Sequence, residues 1–415
     1  MKMMNKKNKL LIIFLVSVLL FIINAIPVHA EEEIINLPNG YSEDGLWMYN
    51  DYGDGTVSIT CQDNTITEAE IPAEIDGHVI TMVELDCFKD NEVLKKVTLP
   101  DTITVIEDYA FYKCFGLESI NIPENVKNIG FQAFYGCNLN EITIPASVTE
   151  IEGWAFEGCN SLKAVHVAKG NQNYVDEDGI LFNKDKTELI LYPSAKTDIT
   201  SYTVPETCVK LEGYAFMANQ HLQEINIDSV QEIGQDVFYY CTSLESIKIP
   251  EGITELKGSM FGNCTSLKTV ILPEGITNLG SGCFYNCVTL EEIYLPESLT
   301  SINDYAFFNC ASLKSLTVSE NVKSIGAYAI GWYYGDDMSN EEENAYKILP
   351  NFEIDANNGT KAFEYAAENN IKCTGGITQG IIFVYIIIGI IVLVILAVIG
   401  LIIMQKRYQK QHELF

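Results

Sequence analysis

Basic charge and histidine are both scarce in this chain of 415 residues: 26 Lys and Arg face 56 Asp and Glu, and there are five His. Only His78, His166 and His221 lie between residues 31 and 380, far apart in sequence, so no histidine pair or triad is indicated for nucleophilic catalysis. Gly-x-Ser-x-Gly, His-Glu-x-x-His and the phosphate-binding loop are all missing. So is Cys-x-x-Cys, the commonest zinc signature. No enzyme, cofactor or metal is expected. Residues 31–380 hold 19 basic and 55 acidic residues. Such a surface repels nucleic acid and anionic lipid and suits basic or cation-bridged partners.

The two ends carry the long apolar runs. Lys2, Lys6, Lys7 and Lys9 precede an apolar stretch, and Val28-His29-Ala30 then leads into Glu31-Glu32-Glu33. That order predicts a signal peptide over residues 1–30. Residues 381–403 are apolar without a charge, and Lys406, Arg407 and Lys410 follow. A transmembrane helix is predicted there, with the bulk of the chain extracellular and residues 404–415 a short cytoplasmic tail. Residues 374–380, rich in Gly and Thr, read as a linker.

Between the ends one motif recurs. Phe88, Phe111, Phe134, Phe156, Phe216, Phe238, Phe261, Phe284 and Phe307 are spaced by 22 or 23 residues, except for one gap of 60. A fixed period of this length predicts a repeat solenoid over residues 81–330. Each unit carries Leu-x-x-Leu-x-Leu, as at Leu117, Ile120 and Ile122, whose alternating second half suits a short strand with one buried face. Proline often follows, as at Pro123 and Pro250, where a missing N–H stops a ladder.

Twelve cysteines in a secreted chain would ordinarily suggest disulfides. The register points elsewhere. Cys114, Cys137, Cys159, Cys241, Cys264, Cys287 and Cys310 each stand three residues after a repeat phenylalanine, and Asn91 and Asn219 fill that slot in the other copies. An Asn/Cys column facing inward explains them as small packing residues.

Residues 31–80 read as an N-terminal cap, with strands at 47–49 and 56–60 around an Asp/Gly turn that lacks the order of a calcium loop. Residues 168–201 read as a hairpin insertion. Residues 331–373 read as a C-terminal cap of helix and strand, with Ala362, Phe363, Ala366 and Ala367 on the helix's apolar face.

The unit Ile-Pro-x-x-Val-x-x-Ile-Gly-x-x-Ala-Phe-x-x-Cys-x-x-Leu resembles the BspA-type leucine-rich repeat, over about residues 71–330, and Asp178-Gly179-Ile180-Leu181-Phe182 is similar to an insertion of that family. The resemblance implies a leucine-rich-repeat horseshoe or right-handed coil, displayed at the cell surface, and an adhesin that binds host or microbial proteins or glycans. No Leu-Pro-x-Thr-Gly sorting signal accompanies it. A structural envelope protein without a dedicated ligand is the alternative.

Strand alternation places Thr98, Asn121, Thr143, His166, Asn226, Lys248, Ile271, Tyr294 and Thr317 outward, one per unit. Lys248, Ile271, Tyr294 and Thr317 are the candidate ligand-binding residues, because they set a cation and apolar surface into an acidic protein. A rival strip is Tyr112, Tyr135, Tyr239, Tyr285 and Phe308, each directly after a repeat phenylalanine.

Overall fold

The computed structural model describes residues 39–335 and 346–375, so the apolar segments read above at 1–30 and 381–403 lie outside the described residues. The repeats form a β-solenoid of about 13 turns. One coil shows how the motif folds. Lys96–Thr98 is a strand paired in parallel with Glu68–Glu70 before it and Ser119–Ile120 after it. Past Pro100 the chain turns, and Val105–Ile106 forms a second, two-residue strand paired with His78–Val83 and Asn128–Ile129. The third side, through the phenylalanine to Leu117, is made of consecutive turns.

This turn side is also a hydrogen-bonded ladder. Phe88 N–H donates to Ala110 O, Phe111 N–H to Ala133 O and Phe134 N–H to Ala155 O, at 2.7 to 2.8 Å. The geometry requires a left-handed residue two positions before and two after each phenylalanine. Tyr109 and Lys113 flank Phe111 this way, as Ser259 and Asn263 flank Phe261. A non-glycine residue in that conformation costs roughly 1–2 kcal/mol. The coil-to-coil hydrogen bonds and the burial of the phenylalanine offset the cost. Glycine is needed elsewhere: a Cβ on Gly130 would sit 2.5 Å from Asp108 N of the adjacent coil.

The core is a set of columns. Successive phenylalanine rings from Phe88 to Phe156 and from Phe216 to Phe307 stack at 5.2 to 5.5 Å. Each such pair adds about 0.5–1.5 kcal/mol to the gain from burial. The cysteine column is as expected from the register: Cys114, Cys137, Cys264 and Cys287 are buried free thiols that donate to the carbonyls of Phe88, Phe111, Phe238 and Phe261 in the preceding coils. Asn91 and Asn219 fill the same slot with amide bonds to the backbone. Burial pushes the Cys114 and Cys241 thiols up to about 12.

Both caps form. Trp47–Asp51 and Thr56–Cys61 make an antiparallel hairpin, and Trp47 packs edge-on against Phe88. At the other end Thr360 caps the helix Lys361–Glu368, its side chain accepting from Phe363 N–H. The helix face differs from expectation: Ala362, Tyr365 and Ala366 are buried and Ala367 is exposed. Tyr365 is drawn inward because its hydroxyl bonds both the N–H and the C=O of Ile330.

Two expectations are corrected. Where a leucine-rich-repeat horseshoe or right-handed coil of short parallel strands was expected, the repeats form a β-solenoid. All three sides of the coil are backbone ladders of similar spacing, so no wider element wedges the coils apart. The transmembrane helix expected at residues 381–403 lies outside the described residues and is not supported by them: among the described residues no helix is long and apolar enough to cross a membrane. The helix Lys361–Glu368 has 8 residues, a rise of about 12 Å against a hydrocarbon core of about 30 Å.

Two outcomes follow from the columns. Phe261→Ala should lower unfolding free energy by about 3–5 kcal/mol in denaturant melts, whereas a negligible change would show that the stack is not core. In the folded protein the eleven buried thiols should resist alkylation and only the partly exposed Cys373 should react; all twelve should react after unfolding without reductant.

Candidate binding surface

The outward strip is where strand alternation put it. Lys248, Ile271, Tyr294 and Thr317 are all exposed, while their neighbours Ile247, Val270, Ile293 and Leu316 are buried. Lys248 and Ile271 are register partners in adjacent strands. The ladder then stops: Ser201–Thr203, Glu224–Asn226, Ser246–Lys248 and Thr269–Ile271 form one sheet, and Ser315–Thr317 pairs instead with Glu353–Asp355. Tyr294 lies between them outside any strand. The strip is therefore divided at Tyr294, which is left 80% exposed, one coil on from Ile271 at 59%. Lys248 is ion-paired with Asp228 at 3.2 Å, both exposed, a contact worth under about 1 kcal/mol.

The rival aromatic column is broken into pieces. Tyr112 and Tyr135 stack at 4.7 Å. Tyr285 and Phe308 stack at 5.5 Å, but Phe308 is buried beneath Tyr334 and Tyr346. In the coil of Phe156 the aromatic slot holds Glu157, and in that of Phe216 it holds Met217.

That interruption marks a cleft that the sequence reading missed. In the insertion, Leu189 pairs with Leu211, and Tyr192 N–H donates to Ala215 O, so Tyr192 occupies a phenylalanine slot. Its ring stacks on Phe216 at 5.1 Å. From Leu211 to Phe216 the chain takes five steps, and from Leu189 to Tyr192 only three. The insertion coil is two residues short and lacks the outward loop that carries Tyr214 in the next coil. A cleft of about 340 Å³ results, floored by Ile190 and Leu191 and walled by Glu152, Glu157, Glu188 and Glu212. Trp154 reaches across its mouth to Tyr214, ring centroids 5.0 Å apart.

The second-strand ladder also breaks here. Glu150–Ile151 is the last strand of one sheet, and Ile151 N–H donates to the hydroxyl of Tyr174 at 2.8 Å instead of to a following coil. Glu157 accepts from Gln132 Nε2 at 3.0 Å. Burial, helped by the charge of Asp236, holds its carboxyl above the usual range against the effect of that bond. Glu152 is exposed, yet partial desolvation and the charges of Asp108 and Glu150 shift its carboxyl in the same direction. Two signals were readable in sequence: a glutamate in a tyrosine slot, and the short spacing ahead of Tyr192.

With the coil geometry in place, comparison with known proteins is direct. A family model for the BspA type Leucine rich repeat region matches residues 81–203, 187–305 and 231–332, more than half of the chain. The chain belongs to the BspA-type leucine-rich-repeat family. A leucine-rich repeat protein from Eubacterium ventriosum is similar in structure, with TM-score 0.55 and 25% identity over 73% of this chain and 97% of that one. A leucine rich cell surface protein from Faecalibacterium prausnitzii aligns with TM-score 0.49 and 26% identity over 72% and 95%. The pneumococcal vaccine antigen PcpA aligns with TM-score 0.48 and 21% identity over 81% and 98%. No curated protein matches the chain in sequence.

The raised Glu157 carboxyl gives a signed expectation. A carboxyl whose folded value lies above its unfolded one is charged at a cost in the folded state at neutral pH. That cost disappears as pH falls below the ordinary glutamate range. Glu157→Gln should therefore melt higher than the parent at pH 7, with the gap closing toward pH 4; a lower melting temperature at pH 7 would contradict the burial argument.

Proposed function

We propose that this chain is a cell-surface binding protein that engages an extracellular protein or glycan through the outward strip of its solenoid. One observation carries the reading: Ile271 and Tyr294 stand 59% and 80% exposed on consecutive coils of a protein that buries nearly every other aliphatic column. Two neighbours packing on each other for stability would cover one another, and at that exposure Tyr294 covers little. Adjacent exposed apolar groups mark interaction sites more often than scattered ones do, and tyrosine is enriched among binding hot spots. Lys248 adds a cation to a surface dominated by carboxylates. The repeat scaffold supports binding rather than catalysis as its use, since stacked coils present a rigid extended face.

An array of glycans and extracellular-matrix proteins probed with the purified protein tests the reading. Saturable binding to a defined target is expected. Tyr294→Ala and Lys248→Glu should each weaken it by about tenfold or more with melting temperature nearly unchanged. Unaltered affinity in the double variant would exclude the strip, and no saturable binding anywhere would favour a purely structural envelope role.

A further inference from the structure

The cleft beside the insertion has chemistry of its own, independent of the strip. Along the turn side each phenylalanine N–H donates to the following coil, as Phe134 does to Ala155 and Tyr192 to Ala215. By the same register Phe156 should donate to the carbonyl of Leu191. Leu191 is instead paired with Leu181 in the antiparallel hairpin, and among the described residues the N–H groups of Phe156 and Trp154 have no protein acceptor. Both residues line the cleft, and unpaired donors of a broken ladder are the groups that an added peptide segment satisfies.

The opposite requirement comes from the side chains. Four glutamates line the cleft and no lysine or arginine does. Glu188 and Glu212 already share one ammonium, that of Lys210, which touches Glu212 and lies 3.5 Å from Glu188. Glu152 and Glu157 have no ion-pair partner among the described residues. Trp154 and Tyr214 at the mouth offer aromatic faces, which attract a cation and pack against an alkyl stem. At about 340 Å³ the cleft is at the small end of ligand pockets, which run from about 300 to 1,000 Å³. It has room for one long side chain and the backbone beside it, and none for a folded element.

We propose that this cleft binds a lysine side chain presented by a partner polypeptide. The stem lies against Trp154 and Tyr214, the ammonium takes its hydrogen bonds to Glu152 and Glu157, and the partner's main-chain carbonyls accept from Trp154 and Phe156. Desolvation and neighbouring like charge raise both carboxyls above the usual range, and a bound ammonium would offset that repulsion.

Calorimetric titration of the full chain with N-acetyl-lysine N-methylamide, its norleucine counterpart and butylammonium tests the proposal. The lysine compound should bind about tenfold more tightly than norleucine, because the charge is recognised. It should also bind several-fold more tightly than butylammonium, which lacks the carbonyls. Glu157→Gln and Trp154→Ala should each weaken lysine binding by about fivefold or more, Glu157→Gln without loss of melting temperature, and Tyr294→Ala should not change it. Norleucine binding as well as lysine, or both cleft variants binding unchanged, would overturn the proposal. Equal binding of butylammonium would overturn the peptide part and assign the cleft to free amines.

Discussion

Coil-to-coil backbone hydrogen bonding is the constraint on which the molecule depends. It holds equivalent residues about 4.8 Å apart along the ladders, close enough that whatever one coil places inward must pack on its own counterpart. That is why the same residue types recur in columns. Phenylalanine rings stack over their neighbours, and a leucine column from Leu94 to Leu313 is fully buried. The Asn/Cys slot is set by the same spacing, since a short polar side chain there reaches a backbone carbonyl of the coil before it. Two left-handed residues per coil are tolerated because the turns they create supply the third ladder.

Two of the places where that constraint lapses carry unusual surface chemistry. The strand ladder ends at Thr269–Ile271, and beside it Ile271 and Tyr294 face water. The second ladder ends at Glu150–Ile151, and beside it lies the aromatic and acidic cleft. The core is divided at the same place: within Ile180–Asn183, Leu181 packs toward the N-terminal part and Ile180 and Phe182 toward the C-terminal part. A strand with alternate faces in two cores acts as a partition. The insertion is thus an element of the solenoid with one edge left open.

Much of this was legible in sequence for a physical reason. Period and alternation are properties of the chain itself, so the phenylalanine spacing, the cysteine register and the outward position of Lys248, Ile271, Tyr294 and Thr317 needed no coordinates. The second ladder was harder to read because its strands are only two residues long, as at Val105–Ile106. The left-handed positions were hidden because Tyr109, Lys113, Trp154 and Tyr214 fill them instead of glycine. The horseshoe expectation failed with them, since the second strand and the turn side are backbone ladders as well. The helix face was misread at Tyr365, whose burial depends on a hydroxyl contact across 35 positions. The cleft was missed because it comes from two residues that are lacking, and its two signals, Glu157 in a tyrosine slot and the short spacing ahead of Tyr192, stand out only once the insertion is placed in register.

Hydrogen exchange resolved along the chain tests the central claim, that the register lapse at the insertion leaves the coil of Phe156 with an open edge. Amides of Trp154 and Phe156 should exchange markedly faster than those of Phe134 and Phe216, which occupy the same turn side with acceptors in place. Equal protection at all four would show that the ladder continues through the insertion, and would contradict the account.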